Sequence, residues 1–126
     1  MEPGGGPSNL ISNKVLERAL GPELPAGVRM IVSGHIHFFQ AIDFGDVRPP
    51  QLVVGTGGDI LAPMPPLSVA GADINGAEVK RSATYSGFGY MVWDRAGKSW
   101  VGTLFDTAGR ALQHCRLAGR ALTCGA

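Results

Sequence analysis

The chain has 126 residues, 44% of them hydrophobic and 17% charged, with a formal net charge of +1. That length holds one modest core rather than two domains, and the apolar content favours folding over disorder. A near-neutral charge with no face rich in Lys or Arg does not indicate a nucleic-acid partner, and no apolar run reaches the roughly 18 residues of a membrane span.

Residues 1–9 read as a flexible leader, without the basic and apolar regions of a signal peptide. From Leu10 to Leu20 the apolar positions Ile11, Val15, Leu16, Ala19 and Leu20 recur at helical spacing, and Gly21-Pro22 supplies a stop. Val28, Met30, Ile31 and Val32 form a short apolar run of the kind buried on both faces of a sheet, ending at Ser33-Gly34. His35 and His37 follow at once. Phe38–Phe44 reads as the next strand, with Phe38, Ile42 and Phe44 on one face. Gly45-Asp46 and Pro49-Pro50 mark a turn, Gln51–Val54 resumes an extended run, and Gly55-Thr56-Gly57-Gly58 closes it.

Residues 60–84, with Pro63, Pro65, Pro66 and Asn75-Gly76, read as one long connection, functional or mobile. A strand meander comes next. Tyr90–Trp93 and Trp100–Phe105 flank a turn at 95–98, and two copies of Ala-Gly-Arg-Ala-Leu, at 108–112 and 118–122, read as hairpin turns with Gly at positive φ. Nineteen glycines and nine prolines agree with many turns and short strands.

The two cysteines, Cys115 and Cys124, have neither a Cys-x-x-Cys spacing nor a flanking His pair, which argues against structural zinc. If Gly119-Arg120 are the centre of a two-residue hairpin, Cys115 faces Cys124 at a non-hydrogen-bonded pair, where Cα atoms approach closely enough for a disulfide. Such a bond places the protein in the periplasm or outside the cell. The alternative is two reduced cysteines in a cytoplasmic chain.

His35 and His37 carry the chemistry. Two imidazoles at i and i+2 near a strand end project to the same side, where they can share one metal or each serve one of two neighbouring ions. Gly34 lets backbone or metal approach. The plain alternative is a pair of ordinary polar residues on a strand edge. Gly55–Gly58 lacks the Lys-Ser or Lys-Thr of a nucleotide-binding loop and reads as a tight turn. No Gly-x-Ser-x-Gly elbow supports a serine hydrolase.

Met30-Ile31-Val32-Ser33-Gly34-His35-Ile36-His37, followed by a strand and then by Val53-Val54-Gly55-Thr56-Gly57-Gly58, resembles the C-terminal signature of calcineurin-like metallophosphoesterases, which include purple acid phosphatases. Tyr85–Val92 resembles a later strand of that fold. The resemblance implies a two-sheet β-sandwich flanked by helices, hydrolysis of phosphate esters, and metal ligation by His35 and His37, one ion each. The family's upstream ligand blocks have no counterpart here, and Asp43, Asp46 and Asp59 read as turn or loop residues.

The expectation is therefore an α/β (α+β) fold. It comprises the C-terminal part of a two-sheet metallophosphoesterase β-sandwich over residues 10–105, one N-terminal helix, and a terminal β-meander ending in a hairpin at 106–126. The expected function is a metal-dependent phosphoesterase of which this chain supplies two ligand histidines. The complete protein would hold two divalent or transition ions (Fe, Mn or Zn), and this chain at most one, weakly. The isolated chain is expected to be inactive, with residues 60–84 lining substrate entry and exposed strand edges promoting oligomerisation. The alternative is a non-catalytic β-rich module.

Overall fold

The computed structural model describes residues 24–58, 60–63, 68–74 and 76–125, and among them every regular element is a strand. The expected leader and the helix at 10–20 lie outside the described residues. One sheet contains β1 (Ile31–Ser33), β2 (Phe39–Asp43), β3 (Gln51–Val54) and β6 (Arg81–Tyr85) in the order β1-β3-β2-β6. β1 runs parallel to β3 and the other pairs are antiparallel. β4 (Asp73–Ile74) and β5 (Ala77–Glu78) form a separate two-stranded ribbon. The second large sheet is an antiparallel meander of β7 (Gly89–Ala96), β8 (Ser99–Asp106), β9 (Ala111–Ala118) and β10 (Ala121–Gly125).

Period-two alternation joins the two sheets. Phe39 and Ala41 of β2 and Leu52 of β3 share one core with Leu104, Cys115, Leu117 and Leu122 of the meander. The opposite parity of β2 is buried as well. Ile42, with Phe44 just beyond the strand, packs against Val69, Ile74, Ala77 and Val79. β2 is thus covered on both faces, which explains why all five of its residues are buried.

β1 is shorter and more exposed than its apolar run implies. In the parallel register Ile31 lies beside Gln51, so Met30 and Arg29 would have to pair with Pro50 and Pro49, which have no N–H to offer. The ladder therefore stops at Ile31, whose N–H donates to the Pro50 carbonyl at 2.9 Å. Val32 is 59% exposed on what is an edge strand, not a strand buried on both faces. Arg29 turns aside to donate to the carbonyls of Gly119 at 3.0 Å and Lys98 at 3.2 Å.

Those two carbonyls belong to the β9–β10 and β7–β8 turns. Both turns have two central residues, since Ala96 pairs with Ser99 and Ala118 with Ala121. Each begins with a positive-φ glycine, Gly97 at 63° and Gly119 at 61°, as the type II′ turn of a twisted hairpin requires. The resulting register sets Cys115 opposite Cys124, and the two are joined in a disulfide across a Cα separation of 4.0 Å. The β8–β9 loop is organised differently. Asp106 accepts the N–H groups of Ala108 and Arg110, each at 2.9 Å, and the Arg110 Nε at 3.0 Å. The Arg110 N–H above all, with help from the guanidinium, holds the Asp106 carboxyl below its ordinary range.

Asp43 is not a turn residue. It ends β2 at 2% exposure and faces the meander. Its Oδ2 accepts from Arg81 Nε at 3.0 Å and pairs with Nη2 at 2.8 Å, while Oδ1 accepts the Leu122 N–H at 2.8 Å. One carboxylate thus ties both strands β2 and β6 to β10. Asp46 does lie in a turn, at φ 76°, and receives the Arg120 N–H at 3.3 Å. Asp59 lies outside the described residues.

Candidate metal centre

The motif Gly34-His35-Ile36-His37 occupies a bend between β1 and β2, not the end of a strand. β1 has ended at Ser33, and the Phe38 N–H turns back to the Ile36 carbonyl at 2.9 Å, closing a tight turn on His37. Strand pleating therefore does not set the relative direction of the two imidazoles. His35 is exposed and His37 partly buried.

Three contacts hold this bend. The Gly55 N–H donates to the Phe38 carbonyl at 3.0 Å, and the Ala62 N–H to the His37 carbonyl at 3.2 Å. His37 Nδ1 hydrogen-bonds the Ile60 carbonyl. A carbonyl oxygen has no proton to give, so Nδ1 is the donor. In the neutral ring Nε2 then carries the free lone pair, the state a metal ligand needs. This backbone partner orients the ring as a hydrogen-bonding neighbour of a metal-binding histidine ordinarily does.

Gly55 has a role that its reading as a plain tight turn misses. A Cβ there would stand 1.8 Å from the Ile36 carbonyl oxygen and 2.6 Å from that of Gly34, so any other residue would push the bend off its seat. Next to it, buried Thr56 fastens the floor of the bend to β7. Thr56 Oγ1 donates to the Gly89 carbonyl at 3.1 Å, and the Gly89 N–H returns to the Thr56 carbonyl at 2.9 Å.

The stretch 60–84 divides. Ile60 and Ala62 border His37, but the ribbon of β4 and β5 packs with Ile42 and Phe44, at the far end of β2 and on its other face. The expectation that residues 60–84 line substrate entry does not extend to this ribbon, which lies away from the histidines. Ile74, Ala77 and Val79 bury themselves in a second core, while Ile60 and Ala62 at the start of the stretch border the motif and Thr84 at its end pairs with Gln40 of β2. Met64–Leu67 lie outside the described residues.

Among the described residues no three His, Cys, Asp or Glu side chains converge as a metal-binding group. His114 pairs across from Thr103 and Gly125 in the meander and does not join the motif. The donor set that these residues offer is two imidazoles, one with its tautomer assigned. That suits a partial shell for a borderline ion such as zinc and is less than a structural site's usual four. Set against protein families, curated proteins and solved structures, the chain matches none of them.

Proposed function

We propose that this chain is the ligand-bearing C-terminal portion of a metal-dependent phosphoric ester hydrolase, with His35 and His37 as two of its metal ligands. The observation that carries the reading is the hydrogen bond from His37 Nδ1 to the Ile60 carbonyl, which leaves Nε2 as the free donor on a bend braced by Gly55. The motif's resemblance to calcineurin-like metallophosphoesterases supplies the reaction class. Divalent or transition ions bound there would polarise phosphoryl oxygens and lower the pKa of water. The chain's own contribution is to fix one imidazole's tautomer and to hold the bend against Gly55. A phosphate ester is the substrate class, and the remaining ligands come from outside the described residues. The disulfide supports a periplasmic or extracellular setting. No helix among the described residues is long and apolar enough to cross a membrane.

Zinc and manganese titrations of the purified chain, followed by calorimetry, are expected to show at most one weakly held ion. His35→Ala and His37→Ala should each weaken it by about tenfold or more, since even an outer hydrogen-bonding partner is worth roughly 10–100-fold. The same chain is expected not to turn over bis-p-nitrophenyl phosphate. Metal binding indifferent to both substitutions would favour the non-catalytic β-rich module. Metal-dependent turnover lost in either variant would show that this chain contains a complete ligand set.

A further inference from the structure

The two large sheets end in four edges, and three of them are short or occupied. β1 has three residues. β6 is flanked by the Val69 N–H, which donates to Ser82 Oγ at 2.9 Å. β10 has five residues and is tied to Asp43 through Leu122. β7 is different: eight residues long, paired with β8 without a break, and with no described strand beyond it. It contains no proline or lysine, and its centre, Tyr90-Met91-Val92-Trp93, is uncharged. Natural edges usually carry one of those protections or a bulge.

The turn sets the phase of the open side. Ala96 and Ser99 close a two-residue hairpin, so Asp94, Val92 and Tyr90 direct their N–H and C=O groups toward β8. Met91, Trp93 and Arg95 direct theirs outward. Gly89 shares this parity, and its N–H and C=O do leave the sheet, to Thr56. The side chains alternate in the same rhythm. Tyr90 and Val92, 51% and 42% exposed, stand on the outer face, where Tyr90 stacks on Phe105 at a centroid distance of 5.3 Å.

We propose that a second copy of this chain pairs antiparallel along β7, with Val92 at the two-fold axis, making one continuous sheet across a homodimer. In that register Met91 meets Trp93 of the partner subunit, each such pair exchanging two backbone hydrogen bonds. Val92 meets Val92 of the partner subunit, and Tyr90 meets Asp94 of the partner subunit, phenol to carboxylate. The next pair out, Gly89 with Arg95 of the partner subunit, is not made because Gly89 is bonded to Thr56. Neighbouring registers are worse matched. A shift one way leaves only Met91 opposite Met91 of the partner subunit with both sets of backbone groups free. A shift the other way sets Val92 against the partner's Asp94 at both symmetry-related positions, and a further step opposes two Asp94 carboxylates, which repel.

Residue 92 opposite itself gives a sharp test by analytical ultracentrifugation of the 126-residue chain. The wild-type chain should be a dimer. Val92→Lys and Val92→Asp, both on an exposed face, should each be monomeric, because like charges meet at the axis. An equimolar mixture of the two should recover the dimer. Thr103→Lys, on the same face one strand inward, should leave the wild-type dimer intact. The proposal is overturned by a wild-type monomer up to about 100 μM, where even weak specific interfaces register. It is equally overturned by larger aggregates, by a Val92→Lys dimer as tight as wild type or tighter, or by a mixture that stays monomeric.

Discussion

Replacing Asp43 with alanine is expected to lower the free energy of unfolding by about 3 kcal/mol, at the low end of the cost of breaking a buried ion pair. Two losses combine. The Leu122 N–H loses the acceptor it holds at 2.8 Å inside the core, and a buried, unpaired donor costs roughly 1–3 kcal/mol. Arg81 also loses its carboxylate, but its side chain is 52% exposed and turns its charge to water, so that share is small. Asp43→Asn keeps a carbonyl oxygen for Leu122 and gives up only the charge, so it should recover more than half of the loss. Urea unfolding at neutral pH measures both variants. An alanine variant within about 0.5 kcal/mol of wild type, the range of ordinary surface substitutions, would show that the link between β2 and β10 carries no stability.

Reduction of the Cys115–Cys124 disulfide is the second large effect. The bond closes a short loop across one hairpin, with a sequence separation of 9. On the chain-entropy account that is worth about 2–3 kcal/mol. For a domain of this size the midpoint of thermal unfolding should fall by roughly 10–20 °C. Cys115 also sits in the shared core at 2% exposure, so replacement by alanine adds a packing loss that reduction does not. Thermal melts with and without reductant, beside a thiol titration of protein purified without it, separate these terms. Two free sulfhydryls in the unreduced material, or equal midpoints, would contradict the bond.

The parts of this fold that could be read from the residues are those governed by neighbours in the chain. Gln51–Val54, the turns at Gly97 and Gly119, and the facing cysteines all follow from local periodicity and turn chemistry, and the structure places them as expected. The misread parts depend on distant partners. β1 is cut short by two prolines about twenty residues on, which matter only once the parallel register is known. Asp43 looks like a turn aspartate because the groups that bury it lie 38 and 79 residues away. The ribbon at 73–78 has two-residue strands, too brief for an alternation signal. At the histidines, Gly-His-x-His was visible, but the partner of His37 is a backbone carbonyl, which any residue type at position 60 would supply.

The pairing pattern also divides the labour of folding. Every strand of the meander pairs with its chain neighbour across a short turn, whereas β2 must find β6 at a sequence separation of 38 before Asp43 meets Arg81. Entropy of closure rises with span and non-local pairings form slowly, so the meander is the expected nucleus, onto which the first sheet condenses. Both tryptophans, Trp93 and Trp100, belong to the meander. Their fluorescence in a refolding experiment should report its assembly early. Protection of the Gly55 amide, which closes the histidine bend against Phe38, should arrive in a later kinetic phase.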